Sequence, residues 1–156
     1  MSRTGKTGRR KLVKPDYGYH SPLVTRLINK VMTQGKKSIA QKILYSALEE
    51  ISENKKESLE LLKKAMDAVT PKMEVRARRV GGATYQVPGP VRHDRAESLA
   101  IRWILSGARA RKGIPMHKKL SLELKDAAAG IGTAVKKRET MHKMAEANRA
   151  FAHFRW

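Results

Sequence analysis

Apolar residues in this chain follow one spacing, then a second, then return to the first, and that order of periods limits the folds open to it. From Leu23 to Val69 they recur at helical intervals, from Met73 to Val87 they fall on every second position, and beyond Leu99 the helical spacing resumes. A chain written this way packs as helices interrupted by a single hairpin.

Ser21 and Pro22 open the first helix as cap and first-turn proline. Leu23, Val24, Leu27, Ile28, Val31 and Met32 fill an arc of about 180° on it, and Gly35 ends it. A second helix spans about Lys37 to Ser52, with Ile39, Ile43, Leu44, Leu48 and Ile51 inward and the acidic cluster Glu49, Glu50 and Glu53 at its close. A third, about Lys56 to Val69, buries Leu59, Leu62, Met66 and Val69 and stops before Pro71. Met73, Val75 and Ala77 then alternate with Glu74, Arg76 and Arg78; Gly81-Gly82 suits a tight turn, and a return strand from Thr84 to Val87 ends at Pro88. Two strands alone are marginal in water, so this hairpin must lean on the helices or on a ligand. A fourth helix, about Asp94 to Ala110 and capped by Asp94, is followed by a fifth, about Met116 to Ala129, and a sixth from near Thr133 into Ala152. The expected fold is mainly α: one domain at 20–156, a bundle of about six helices with a two-stranded hairpin at about 72–88 protruding between the third and fourth. Residues 1–19, rich in Arg, Lys and Gly, read as a flexible basic arm.

Composition enters at the question of a partner. Lys and Arg number 34 against 14 Asp and Glu, a formal charge of +20. A soluble domain of this size rarely carries more than about 8 net charges, because self-repulsion opposes compaction unless a polyanion neutralises it. That balance points to nucleic acid. The chain has no cysteine, which excludes a disulfide frame, a thiolate zinc site and a cysteine nucleophile. No apolar run approaches the ~18 residues of a membrane span, so no membrane partner is expected. The basic start runs into Pro15-Asp16-Tyr17 rather than an apolar stretch, unlike a secretory signal; a transit peptide, also basic and poor in acids, is the alternative.

Placement of the charge matters more than its sum. On the fourth helix Arg95, Arg102 and Arg109 are seven apart, so each drifts only about 20° from the last. Ser98 and Ser106 share that stripe, while Glu97 lies elsewhere. Such a row suits tracking of phosphates, against the plainer reading of a solvated face. Arg76, Arg78 and Arg79 flank the Gly-Gly turn, where guanidinium forks and bare backbone N–H groups can meet phosphate; the alternative is an edge charged against aggregation. Arg26 and Lys30 form a basic pair on the outer side of the first helix, and Lys36 and Lys37 sit at a helix start that favours anions. On the sixth helix Lys136, Arg138, Lys143 and Arg149 lie on the arc away from Met141, Met144 and Phe151, with Glu139 and Glu146 among them making an ordinary solvated face equally apt. In the arm the candidates are Arg3, Arg9, Arg10 and Lys11.

Aromatic residues make up only 5% of the chain, too few for the stacking platforms of single-strand binders. Trp103 and Phe151 fall on apolar faces and read as core, whereas Tyr17 and Tyr85 could stack on a base. Recognition of folded RNA by backbone and shape remains. No catalytic arrangement is visible: Gly5-Lys6-Thr7 lacks the glycine and strand a phosphate loop needs, and His20, His93, His117, His142 and His153 are scattered without ligand spacing. No nucleophile–base pair stands out. No enzyme, cofactor or metal is expected. The rival readings are a DNA-compacting or general RNA-chaperone protein and an enzyme acting on RNA.

The run Ala77-Arg78-Arg79-Val80-Gly81-Gly82-Ala83-Thr84-Tyr85-Gln86-Val87-Pro88 resembles the signature of the seventh small-subunit ribosomal protein family. So do Gly132 to Glu139, His142 to Trp156, Ile28 to Met32, Gly35 to Ser38 and Leu99 to Trp103, and the likeness covers nearly the whole chain from Tyr19 onward. The resemblance implies a structural constituent of the small ribosomal subunit, a six-helix bundle with the hairpin between helices three and four. It implies primary binding to the 3′ major domain of small-subunit ribosomal RNA, nucleating assembly of the head. Exit-site transfer RNA and messenger RNA would lie near the hairpin, and the eleventh small-subunit protein would be a neighbour; no homo-oligomer is expected. Location follows: in the ribosome, cytoplasmic, or in an organelle's stroma or matrix. Carried onto matching positions, the RNA surface would include Lys36, Lys37, Arg76, Arg78, Arg79, Arg95, Arg102, Lys136, Lys137 and Arg138. The chain departs from the family pattern at His93, where proline is usual, and at Ala96, where arginine is frequent; its N-terminal arm matches loosely.

Overall fold

The computed structural model describes residues 13–154. Arg3, Arg9, Arg10 and Lys11 lie outside the described residues. Six α-helices run in order: α1 Pro22–Val31, α2 Lys37–Glu49, α3 Lys55–Val69, α4 His93–Ala110, α5 Met116–Ala128 and α6 Thr133–Ala147, with a 3₁₀ segment at Arg149–Phe154. Between α3 and α4 the strands β1 Met73–Val80 and β2 Ala83–Pro90 pair antiparallel. Mainly helical architecture with one hairpin in that place is what the apolar spacing predicts.

The core forms where α4 passes through the bundle. Ala96, Leu99, Ala100, Ile101, Trp103, Ile104, Leu105, Gly107 and Ala108 are all buried, so apolar contacts surround most of this helix and leave one narrow strip to solvent. Each fully buried Leu or Ile contributes about 1.5–3 kcal/mol relative to exposure, which explains why α4 can be central despite its arginines. On α2 the buried set is Ala40, Leu44, Ala47 and Leu48, and Ile39, expected inward, is half exposed. Ala40 and Ala47 complete that buried face, which leaves Ile39 turned towards solvent.

Helix ends depart from the sequence reading in physically simple ways. Ser21 precedes α1 but makes no side-chain cap bond. The helix stops at Val31, and Gln34 and Gly35 take left-handed φ of +52° and +74° to turn the chain into α2. At α3, the Asn54 side chain accepts from Lys56 N–H at 3.1 Å, the capping geometry that satisfies an orphan donor. Helix α4 starts at His93, one residue before the expected cap; Asp94 lies in its first turn, where negative charge is favoured by the helix dipole. Helix α6 ends at Ala147, not Ala152, and the tighter 3₁₀ winding beyond it brings Phe151 and Phe154 to within 5.1 Å of the Tyr85 ring. Phe151 therefore clasps the hairpin instead of joining the main core, and Tyr85 faces protein aromatics.

The hairpin closes on Gly81 and Gly82, with φ of +57° and +88° between paired Val80 and Ala83, as a two-residue turn requires. Pairing runs two residues past Pro88, to Met73 opposite Pro90. A two-stranded sheet has free edges, so prolines there break no ladder bond. The alternation at its root is inverted relative to expectation: Glu74 is buried and Met73 partly exposed. At that root the N–H of Lys72 also donates to His142 Nε2 at 3.0 Å, tying β1 to α6. Burial first, then Arg138 and Lys72, hold that imidazole below its usual pKa, which keeps it a neutral acceptor.

Residues 16–19, counted with the flexible arm above, are fixed to the body. Asp16 and Tyr19 are buried, and Asp16 accepts hydrogen bonds from Gly18, Tyr19 and Tyr45.

Candidate nucleic-acid interface

The solvent strip of α4 carries Arg95, Arg102, Ser106 and Arg109, all exposed. Because the rest of the helix is sequestered, these side chains can only project to one side. Helix α1 packs beside it, and the Arg26 guanidinium pairs with Glu97 of α4, locking the two together. One turn further on, Lys30 joins Arg102, Leu105, Ser106 and Arg109 around an open groove of about 320 Å³. From the other flank Lys137 of α6 donates to Ser106 Oγ at 2.7 Å, which brings a further ammonium to the groove. Among the described residues, no carboxylate lies within ion-pair distance of Lys30, Arg102 or Arg109. Three cations line this concavity with no acid among the lining residues, and a fourth bonds to its Ser106; like charges so placed repel each other in the isolated protein, and the arrangement is satisfied by an anion.

At the other end of the strip, Arg95 Nε donates to Glu74 at 2.6 Å, and Arg76 Nε donates to the other oxygen of the same carboxylate at 2.6 Å. Glu74 thus pins the base of the hairpin to the start of α4 and aligns Arg76 with Arg95. Burial alone would push this carboxyl up, but the bonds and charges of Arg95 and Arg76 together outweigh it and hold the group below its ordinary value. The contribution to stability is therefore complete above the ordinary carboxylate range and is lost as pH falls through the lower folded value. Glu74→Gln is expected to remove about 1–2 kcal/mol of stability near neutrality, given half-exposed partners. The loss should shrink below pH 4.5, checked by denaturant melts across pH.

The structure thus sets out Arg26, Lys30, Arg76, Arg95, Arg102, Arg109 and Lys137 as a belt across α1, α4, α6 and the hairpin root, through the Arg26–Glu97 pair, the shared groove, the Lys137–Ser106 bond and the Glu74 carboxylate. Lys36, Lys37, Arg79 and Lys136 are exposed, and among the described residues no side-chain hydrogen bond or ion pair ties them to that belt. Arg78 lies on β1 opposite Tyr85. Arg138 is turned inward: its guanidinium donates to the carbonyl of Ala68, and its Nε is buried without a partner. It braces α6 on α3, and its place on an RNA face is correspondingly weakened. Ala96 is buried, so the position serves packing.

Sequence reasoning missed the residues that set this geometry. Arg111 Nη2 donates at 2.8 Å to the fully buried Glu123, whose other oxygen accepts from Thr133 Oγ1 at 2.9 Å and Ala134 N–H at 3.2 Å. Arg111 also reaches Asp126. This network joins the end of α4, α5 and the start of α6, and holds the groove's flanks in register. Bonds from Glu123, then Asp126, raise the pKa of Arg111 further, so it stays charged throughout. Among the described residues, no cluster of His, Asp or Glu could hold a metal ion, and no helix is long and apolar enough to cross a membrane.

Residues 2–149 match the sequence profile of the family described as ribosomal protein S7p/S5e. The chain belongs to that family. It is similar to the small ribosomal subunit protein uS7 of Thermosipho africanus, with 60% identity over 92% of this chain and 94% of the relative. It is 57% identical to the protein of the same name from Dictyoglomus thermophilum, over the full length of both, and 55% identical to that of Pelotomaculum thermopropionicum, again end to end. As a member of the S7p/S5e family it is a ribosomal protein.

Proposed function

We propose that this protein is a structural constituent of the small ribosomal subunit that binds folded ribosomal RNA across the belt formed by α1, α4, α6 and the hairpin root. The observation that carries the reading is the exposed groove lined by Lys30, Arg102 and Arg109, with Lys137 bonded to its Ser106 and no acid among the described residues within ion-pair distance of the three lining cations. Arginine forks there can hold phosphate oxygens bidentately, and the single direction of the α4 strip presents successive cations along one line. In this reading the RNA is the 3′ major domain, whose binding nucleates assembly of the subunit head. The hairpin, with Arg76, Arg78 and Arg79, reaches towards exit-site transfer RNA and messenger RNA, and the eleventh small-subunit protein is a neighbour. Lys36, Lys37 and Lys136 add outlying phosphate contacts, as do Arg3, Arg9, Arg10 and Lys11 of the arm. The protein acts by binding and performs no reaction on the RNA.

Competition filter binding at physiological salt tests this. A 3′ major domain transcript is expected to be retained in the presence of excess duplex DNA, with log affinity falling against log salt by roughly 0.7–0.9 per phosphate neutralised. Equal competition by DNA would favour a general compacting protein. Cleaved or modified transcript recovered from the complex would favour an enzyme.

A further inference from the structure

We propose that the cavity between the root of the hairpin and the C-terminal end of α6 holds a single unstacked nucleotide of RNA, at a site apart from the groove; the choice of RNA as its source rests on the function proposed above. The cavity measures about 480 Å³, within the ~300–1,000 Å³ typical of small-ligand sites. Met73 and Pro88 of the hairpin, with Ala145 of α6 and Ala152 of the 3₁₀ segment, give it an apolar lining. Neighbouring residues on a strand point to opposite faces, so Met73 looks away from Glu74, whose carboxylate meets Arg95 of α4. Pro88 pairs opposite Val75 and shares the face of Met73. The cavity and the Glu74 clamp thus lie on the two faces of one hairpin root.

Its polar groups suit a nucleotide. Lys72 and Arg149 are exposed cations of the lining, and among the described residues neither has a carboxylate within ion-pair distance. His142 lines the cavity with them, and its Nε2 accepts from Lys72 N–H at 3.0 Å, which fixes the ring. Burial first, then the charges of Arg138 and Lys72, keep that imidazole neutral, so the ring is an uncharged surface in a positive field. Unstacked bases are received on imidazole rings and guanidinium planes as well as on larger aromatics, and their phosphates on Lys and Arg. Glu146, the acid among the described lining residues, has no ion pair there. It offers an acceptor to the exocyclic amine of adenine, cytosine or guanine. An apolar side chain would use the lining and leave all three charged groups idle; a nucleotide engages each of them.

The walls are set before a ligand arrives. The Tyr85 ring lies 5.1 Å from both Phe151 and Phe154, which ties β2 to the segment carrying Ala152, and the His142 bond ties β1 to α6. Little ordering is then left to oppose binding. Uracil has no exocyclic amine and forgoes the Glu146 contact, so the site should favour the other three bases over it by about three- to tenfold.

The test uses the full chain, with the 5′-monophosphates of adenosine, cytidine, guanosine and uridine as probes and inorganic phosphate as control. The readout is the imidazole resonance of His142 by NMR, which a nucleotide held in the groove does not touch. Saturable shifts are expected with the first three nucleotides at concentrations about three- to tenfold below that needed for the uridine compound. Ala152→Trp fills the cavity from an exposed position without removing a charge, and should abolish the shifts. Met73→Trp, filling it from the hairpin, should do the same. Glu146→Ala should bring all four nucleotides to the uridine level. No shift with any nucleotide, or undiminished shifts in both Trp variants, would overturn the site. So would equal shifts with inorganic phosphate, which would leave an anion site alone, or shifts with a hydrophobic dye and none with nucleotides, which would give the cavity to an apolar side chain of another protein. A transcript that still binds while His142 stays silent sinks this site and spares the groove; a transcript that does not bind sinks the groove, whatever His142 reports.

Discussion

Arg102→Glu is expected to weaken ribosomal RNA binding by about 2–3 kcal/mol, on the order of 30- to 150-fold, while leaving helical content and melting temperature near wild type. The size follows from position. Arg102 lines the groove with Lys30 and Arg109 and makes no ion pair among the described residues, so none of their carboxylates takes up its charge. Reversal deletes one phosphate contact and places a carboxylate where a phosphate would sit, so attraction and repulsion both count. The fold should be indifferent, because an exposed substitution away from caps and ion pairs usually changes stability by less than about 0.5 kcal/mol. Here a Glu even relieves repulsion from Lys30 and Arg109. The salt dependence gives a second readout, a slope reduced by roughly 0.7–0.9 for the lost contact. Unchanged affinity and slope would move the RNA off this groove. Comparable loss of folding would make Arg102 structural.

What could be read from the sequence and what could not divide along the range of the interactions. The stripe of Arg95, Arg102 and Arg109 is legible because seven-residue spacing on one helix is a local property, and the burial of Ala100, Ile104 and Ala108 behind it follows from the same period. The Gly81-Gly82 turn is legible because only one residue type adopts its two φ values readily. Partnerships across the fold are another matter. Glu97 and Arg26 are 71 positions apart, Lys137 and Ser106 are 31, and no periodicity links them. Period-two spacing at Met73, Val75 and Ala77 suggested the buried side of β1, but the root of the hairpin faces Arg95, so the carboxylate of Glu74 is drawn in and Met73 is left partly exposed. Likewise Arg138 reads as one more cation on an outer arc until the carbonyl of Ala68, 70 residues away, takes its guanidinium. The belt was visible as a list of cations; which of them converge, and which brace the body, depends on tertiary packing.

Gly107→Ala is expected to destabilise the protein by about 2–4 kcal/mol, against the gain of about 1 kcal/mol that alanine brings to a helix interior. The added Cβ would lie 2.3 Å from Thr133 Oγ1 and 2.4 Å from Glu123 Oε1. Such overlaps cost little when the opposing atom ends a free side chain, but neither is free. Glu123 is fully buried and held through both oxygens by Arg111, Thr133 and the Ala134 N–H, so yielding by the required distance surrenders charged hydrogen bonds in a place water cannot replace them. Each kcal/mol shifts the melting temperature of a chain this size by about 2–4 °C, which makes the loss easy to see by calorimetry. Adding Thr133→Ala removes the nearest atom, and the double variant should recover part of the deficit, a coupling that distant sites do not show. A neutral or stabilising Gly107→Ala would mean that the Glu123 carboxylate can swing aside at little cost. Because the same network sets α6 against the end of α4, RNA affinity should also fall, by less than in Arg102→Glu, through displacement of Lys137 from Ser106 and a widened groove.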